Sequence, residues 1–140
     1  MKTNAGLWID HKKAVIVLLL GQMEQEKVIE SKVEKQRKRS SSLPLGNSSD
    51  SRQMPAEDAQ KREYIRHMNV YYDEIIAFIK NVESIFIFGP SEAKLELKKR
   101  IEKKRLGKRV AGIEAADKMT NPQVAVKVRK FFLKKQVPAV

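Results

Sequence analysis

The chain contains no cysteine, which excludes disulfides and thiolate metal sites. Aromatic residues make up 6% of it, with one tryptophan, and most of them fall in apolar segments. No exposed set of rings is left over for stacking single-stranded bases. The two histidines, His11 and His67, have no spacing that suggests a zinc site, so no metal is expected. There is no phosphate-cradling loop and no dinucleotide fingerprint, since Gly89-Pro90 is a lone turn signal, and no cofactor is expected. The longest apolar run, residues 14–20, falls short of the ~20 residues a membrane-spanning helix needs. It follows His11-Lys12-Lys13 and lacks a small-residue cleavage pattern before Gly21, which argues against a signal peptide. Neither feature points to a membrane, and the cytoplasm is the default expectation.

What the chain has in excess is positive charge. Its 140 residues carry 29 lysines and arginines against 17 acids, a net charge of +12. Such a balance bears on partners and solubility rather than on fold. Acidic residues would solubilise a surface equally well, so the cationic excess points to an anionic partner. Nucleic acid leads and an anionic membrane surface ranks below it. A hydrophobic fraction of 41% suffices for a core, and the length fits one domain.

Patterning along the chain predicts an α/β domain over residues 1–136 with a tail at 137–140. Residues 6–10 read as a first strand, and the branched run 14–20 reads as a strand buried on both faces. Residues 27–33 read as a third, edge-like strand, and short links favour an antiparallel meander. Residues 37–54 are basic and serine-rich, cannot form a core, and read as a loop. Structureless loops above ~12–15 residues inside a compact domain are functional or disordered as a rule. A helix then starts near Pro55 and runs to about Lys80. Tyr64, Met68, Tyr71, Ile75 and Ile79 form its apolar stripe, widened by Ile65, Tyr72 and Ile76.

Residues 84–88 read as a buried strand. A helix capped by Ser91 follows, with Ala93, Leu97 and Ile101 on one face, ending near Leu106 where Gly107 stops it. Residues 109–115 read as a weaker strand in which Gly112 marks a close approach. Thr120 and Gln123 have capping-box spacing, and Val124, Val128, Phe131 and Phe132 form the buried face of a last helix. The order is β-β-β-α-β-α-β-α, antiparallel in the first half and parallel in the second. That is a mixed five-stranded sheet, as in ribonuclease H-like folds and the central domain of certain translation factors.

Several segments are more specific than this topology. They are Ile9-Asp10 ending the first strand, Ala14-Val15-Ile16-Val17, Lys61-Arg62-Glu63-Tyr64 and above all Gly89-Pro90-Ser91-Glu92-Ala93-Lys94. Over residues 6–132 the chain resembles the central domain of archaeal and eukaryotic peptide-chain release factors and of Pelota. It also resembles their small bacterial relatives, whose ending is matched by Ala116-Asp117-Lys118-Met119-Thr120 followed by Val126-Lys127-Val128-Arg129. The resemblance implies a role in translation with the ribosome or tRNA as partner. In release factors the corresponding loop carries Gly-Gly-Gln, whose glutamine helps position water at the peptidyl-tRNA ester. Here the loop glutamine is Gln53, preceded by Ser51-Arg52, and neither glycine is present. Pelota-type central domains lack the motif as well, and there the implication is ribosome engagement without hydrolysis.

Residues 94–109 hold nine basic side chains against Glu96 and Glu102, and residues 32–39 hold five against Glu34. Glu–Lys pairing along a solvated helix would need comparable acids. The sequence therefore predicts phosphate contacts from Lys98, Lys99, Lys103 and Arg105 on the helix, and from Arg37, Lys38, Arg39 and Arg52 on the loop. Recognition would go through backbone and shape with little base reading. The expected function is a non-catalytic ribosome- or tRNA-binding protein of translation or ribosome rescue. One alternative is a peptidyl-tRNA hydrolase with Gln53 as its catalytic residue, and a second is a protein-interaction module for acidic surfaces. A metal-dependent nuclease drawing on Asp10, Glu63 or Glu74, and Asp117 ranks last, because the fourth strand ends in Phe88-Gly89-Pro90 with no acid. Asp10 reads better as a turn residue.

Overall fold

The structure, a computed structural model, describes residues 3–31 and 56–136. The expected loop over residues 37–54, the tail at 137–140, and with them Arg37, Lys38, Arg39, Arg52 and Gln53 lie outside the described residues. The expected element order is observed throughout. Strands β1 (Thr3–Ile9), β2 (Lys13–Leu20) and β3 (Met23–Glu30) precede helix α1 (Ala56–Ile79). Then come β4 (Ser84–Gly89), α2 (Ala93–Lys103), a short 3-10 turn (Gly107–Arg109), β5 (Val110–Ala115) and α3 (Asn121–Gln136). The sheet order is β3-β2-β1-β4-β5, with the β1–β2 and β2–β3 pairs antiparallel and the β1–β4 and β4–β5 pairs parallel.

Strand periodicity divides the core into two layers. On β4, Ile85 and Ile87 face α1 and α2, while Phe86 and Phe88 face α3. On β1, Leu7 and Ile9 join the first layer and Trp8 the second. One face is closed by Met68, Tyr71, Ile75 and Ile79 of α1 with Ala93, Leu97 and Ile101 of α2. The other is closed by Val124, Ala125, Val128 and Phe132 of α3. The central strands are buried on both sides because helices cover both faces. That is why residues 14–18 are apolar without alternation.

Four expectations need correction. The third strand starts at Met23, not Lys27, and ends at Glu30. A two-residue turn at Gly21-Gln22 sets Met23 directly opposite Leu20. Gly21 has φ 66 while Gln22 stays out of the left-handed region, the arrangement of a type II′ hairpin turn. The polar start of β3 is tolerated because it is an edge strand, exposed except at Ile29. Ile65 does not widen the buried stripe of α1 and is 56% exposed.

At the start of α2, Glu92 holds the N-cap position, and the Ser91 hydroxyl accepts a hydrogen bond from the Ala93 N–H at 3.4 Å from one place further out. The same helix ends at Lys103, before Leu106, and its stop signal is Arg105 rather than Gly107. Arg105 has φ 64, its N–H donates to the Glu102 carbonyl at 2.9 Å, and the Leu106 N–H donates to the Ile101 carbonyl at 3.1 Å. This pair of bonds is a Schellman motif with an arginine in the left-handed place that glycine fills by default. Leu106 packs against the cluster that holds Ile101, which completes the motif.

The last helix starts as expected. The Thr120 N–H donates to Gln123 Oε1 at 2.8 Å and the Gln123 N–H donates to Thr120 Oγ1 at 3.3 Å, a reciprocal capping box. Gly112 is a close approach, since a Cβ there would lie 2.9 Å from Phe131 Cζ.

Candidate nucleic-acid interface

The basic helix is positioned by its apolar residues. Ala93, Leu97 and Ile101 recur every four residues and are fully buried, which turns the opposite stripe of α2 to solvent. Lys99, Lys103 and Arg105 are exposed and Lys98 is half-buried. Not all nine cations of residues 94–109 are free. Arg100 donates from Nε to Asp73 Oδ1 at 2.7 Å and from Nη2 to Asp73 Oδ2 at 2.9 Å, and Lys104 Nζ lies 3.5 Å from Asp73 Oδ1. Lys94 Nζ donates to the Ser91 carbonyl at 2.6 Å. Arg109 donates to the Lys80 and Val82 carbonyls. These four serve structure. Among the described residues, Lys98, Lys99, Lys103, Arg105 and Lys108 make no ion pair, so the four positions expected to meet phosphate keep their charge unspent, and the exposed Lys108 joins them.

The Arg100 hydrogen bonds hold the Asp73 carboxyl below its usual range, with coulombic help from Arg100 and Lys104. Asp73 therefore stays charged and anchors α2 on α1 at neutral pH. Between these helices runs a groove of about 310 Å³, whose walls include Tyr64, Asn69, Tyr72, Lys99 and Lys103. Two of these unpaired cations, Lys99 and Lys103, thus edge a concave surface.

A polar chain crosses the carboxyl ends of the parallel strands β1 and β4. Tyr72 Oη donates to Glu96 Oε1 at 2.6 Å. Glu96 Oε2 lies 3.4 Å from His11 Nε2, and His11 Nδ1 lies 3.5 Å from the Ser91 hydroxyl. Burial and the adjacent Glu96 carboxylate push the Tyr72 hydroxyl up, so it remains a donor. The sequence reading assigns His11 no role. No spacing could have revealed one, because the parallel pairing of β1 with β4 brings residues 11 and 91 together. This chain links the β1–β2 turn, α1 and the start of α2.

The residues of the nuclease reading stay apart. Asp10 Oδ1 accepts from the Lys12 and Lys13 N–H groups, both at 2.8 Å, the turn role expected of it. Glu63 pairs with Arg66 and lies 3.2 Å from His67 Nε2 along α1, and the Asp117 carbonyl accepts from the Trp8 indole at 3.1 Å. Glu74 is exposed on α1. Among the described residues no three carboxylate or imidazole groups converge.

No protein-family model and no curated protein matches this chain. Solved structures do. The Pelota protein of Thermoplasma acidophilum is 18% identical, with a TM-score of 0.52, over 95% of this chain and 32% of its own. Pelota of Archaeoglobus fulgidus is 14% identical, with a TM-score of 0.49, over 96% of this chain and 31% of its own. An archaeal translation termination factor is 14% identical, with a TM-score of 0.47, over 96% of this chain and 40% of its own. The chain spans about a third of the length of the Thermoplasma protein. It shares the α/β fold of the matched part of the Thermoplasma Pelota protein, as its sequence resemblance implies. No helix among the described residues is long and apolar enough to cross a membrane.

Proposed function

We propose that this chain is a non-catalytic RNA-binding domain of translation or ribosome rescue, acting in the cytoplasm on a ribosome or tRNA. The observation that carries the proposal is the distribution of charge on α2. The structural cations of this helix and the turn after it are each matched to a carboxylate or a carbonyl, while Lys98, Lys99, Lys103, Arg105 and Lys108 are left without an ion pair among the described residues. The exception to the glycine rule at Arg105 adds weight, because an unfavourable backbone place is kept by an arginine. The Pelota-like fold agrees with this reading. Residues 37–53 would supply further phosphate contacts through Arg37, Lys38, Arg39 and Arg52. Phosphate contacts position a protein without reading sequence, which suits structured RNA.

Ribosome co-sedimentation at two salt concentrations, with bulk RNA as competitor, tests the proposal. Saturable binding that survives the competitor supports it, and pelleting that any RNA displaces equally refutes it. Peptidyl-tRNA added to the same preparation should stay intact. Cleavage that is lost in Gln53→Ala would replace the non-catalytic reading with a hydrolase.

A further inference from the structure

Asn4, in β1, is 6% exposed, and among the described residues no hydrogen bond reaches its side-chain amide. A buried amide left without partners is costly and rare, so it calls for an explanation. Strand alternation sets its direction. Ala5, Leu7 and Ile9 face the layer under α1 and α2, whereas Trp8 faces α3 and a Cβ on Gly6 would meet Val128 of α3. Asn4 therefore lies on the α3 side, with Leu19 opposite it on β2 and Glu24 opposite Leu19 on β3.

This row of three residues underlies a groove of about 570 Å³ between the sheet and the C-terminal half of α3. Phe132 and Leu133 wall it from the helix, and Met23 borders it from the β2–β3 hairpin. Met23 and Leu133 are 67% and 64% exposed, large apolar side chains at an open mouth. Among the described residues the charges that line the groove cancel. Arg129 donates from Nε to Glu24 Oε1 at 2.6 Å and from Nη2 to Glu24 Oε2 at 3.1 Å. A water is the usual partner of a buried amide. It needs about two to four polar contacts, and the walls beside Asn4 are Leu19, Phe132 and Leu133.

We infer that this groove binds an adenine base, held by its edge on the Asn4 amide. That amide offers an acceptor and a donor side by side, and adenine presents its amino donor beside a ring-nitrogen acceptor, the two-bond match that asparagine makes to this base. A flat, neutral ring suits apolar walls with no unspent charge. The guanidinium of Arg129, fixed by its two bonds to Glu24, offers a stacking face at the rim. A ligand whose anionic part must enter the groove fits less well, since no free cation lines it and the C-terminal end of a helix repels negative charge. A purely apolar ligand would leave the amide unsatisfied. The volume is that of small-molecule sites, ~300–1,000 Å³. The base has two sources, a free nucleotide or an RNA strand, and the chemistry recognised is the same. This inference does not rest on the RNA-binding proposal, which concerns α2 on the other face of the sheet.

The experiment is an NMR titration of the full chain with adenosine, guanosine, uridine, AMP and short oligoadenylate. Adenosine should shift the Asn4 side-chain amide pair and the backbone amides of residues 19, 23 and 133, and guanosine and uridine should bind roughly tenfold more weakly or worse. Asn4→Leu removes the orphan amide with little change of shape, so it should weaken adenosine binding by roughly tenfold or more, and a cooperative melt confirms that it folds. Should it not fold, Leu133→Ala at an exposed position decides instead, and should bind adenosine more weakly with an unchanged melt. Tighter binding of AMP than of oligoadenylate identifies a free nucleotide as the source, and the reverse order identifies RNA; both support the site. The variant Lys98→Gln with Lys99→Gln should bind adenosine as the parent does, so failure of the RNA reading leaves this test intact. Asn4 resonances that adenosine leaves unmoved, equal binding of the three nucleosides, or full adenosine binding by Asn4→Leu or Leu133→Ala would each overturn the proposal.

Discussion

Arg100 and Asp73 form a two-pronged ion pair, Nε to Oδ1 at 2.7 Å and Nη2 to Oδ2 at 2.9 Å, that fastens α2 to α1. It removes the one arginine of α2 from the nucleic-acid surface and fixes the angle at which the remaining cations are displayed. Asp73 is 38% exposed at its side chain, so solvent screens the pair and its contribution is modest. Asp73→Asn should cost about 0.5–1 kcal/mol at neutral pH. The folded-state pKa of Asp73 is lowered, so the contribution is complete above the ordinary aspartate range, about pH 4, and is lost as pH falls through the lowered value. Urea melts of parent and variant should therefore differ at pH 7 and converge toward pH 2–3. A gap that widens in acid would contradict this account.

Arg105 occupies φ 64 at the end of α2. A left-handed conformation costs a non-glycine residue roughly 1–2 kcal/mol, part of which glycine returns through greater freedom in the unfolded chain. Arg105→Gly should therefore raise stability by about 0.5–1 kcal/mol and weaken RNA binding at the same time. Urea melts and an RNA titration on one preparation check both signs. A variant that loses stability would show that the arginine side chain, rather than its backbone, is what the fold needs.

The capping box at α3 is the one helix start here with reciprocal side-chain bonds among the described residues. Thr120→Ala removes the acceptor of the Gln123 N–H and should cost about 1 kcal/mol. Since α3 closes the layer around Trp8, tryptophan fluorescence should report the unfolding, with Gln123→Ala giving a comparable loss.

Gly112 lies under Phe131, with room for no Cβ at the present ring position. Gly112→Val should destabilise by about 1–3 kcal/mol through overpacking. Phe131→Leu in the same chain should recover part of that loss. Additive losses, measured by the double-mutant cycle, would show that the ring and the glycine do not interact.

Much of the fold was legible because the sheet centre demands unusual residues. Residues 14–18 and 85–88 are apolar throughout because both faces are covered, and runs so short and branched do not make amphipathic helices. The edges were harder to read. The start of β3 is polar because little covers it, so only its pairing with β2 defines it. Gly107 reads as the stop of α2 because glycine is the default left-handed residue. The docking of Leu106 beside Ile101 forces the turn two residues earlier, onto Arg105. The unpaired cations of α2 and the turn after it were legible from the shortage of acids, whereas the partners of Arg100, Lys94 and Arg109 depend on tertiary packing. His11, Ser91 and Glu96 meet only because β1 and β4 are parallel neighbours. The groove over Asn4 is equally silent in sequence, since it joins β1, the β2–β3 hairpin and α3, which are not contiguous.

The central claim is that α2 presents its unpaired cations to RNA phosphates. The most direct test is the salt dependence of ribosome binding for the parent chain and for the quadruple variant Lys98→Gln, Lys99→Gln, Lys103→Gln, Arg105→Gln. Each phosphate neutralised adds about 0.7–0.9 to the magnitude of the slope of log affinity against log salt, so the variant should bind more weakly with a slope about three to four units shallower. An unchanged slope and affinity in a variant that folds normally would show that RNA, if bound at all, is held elsewhere.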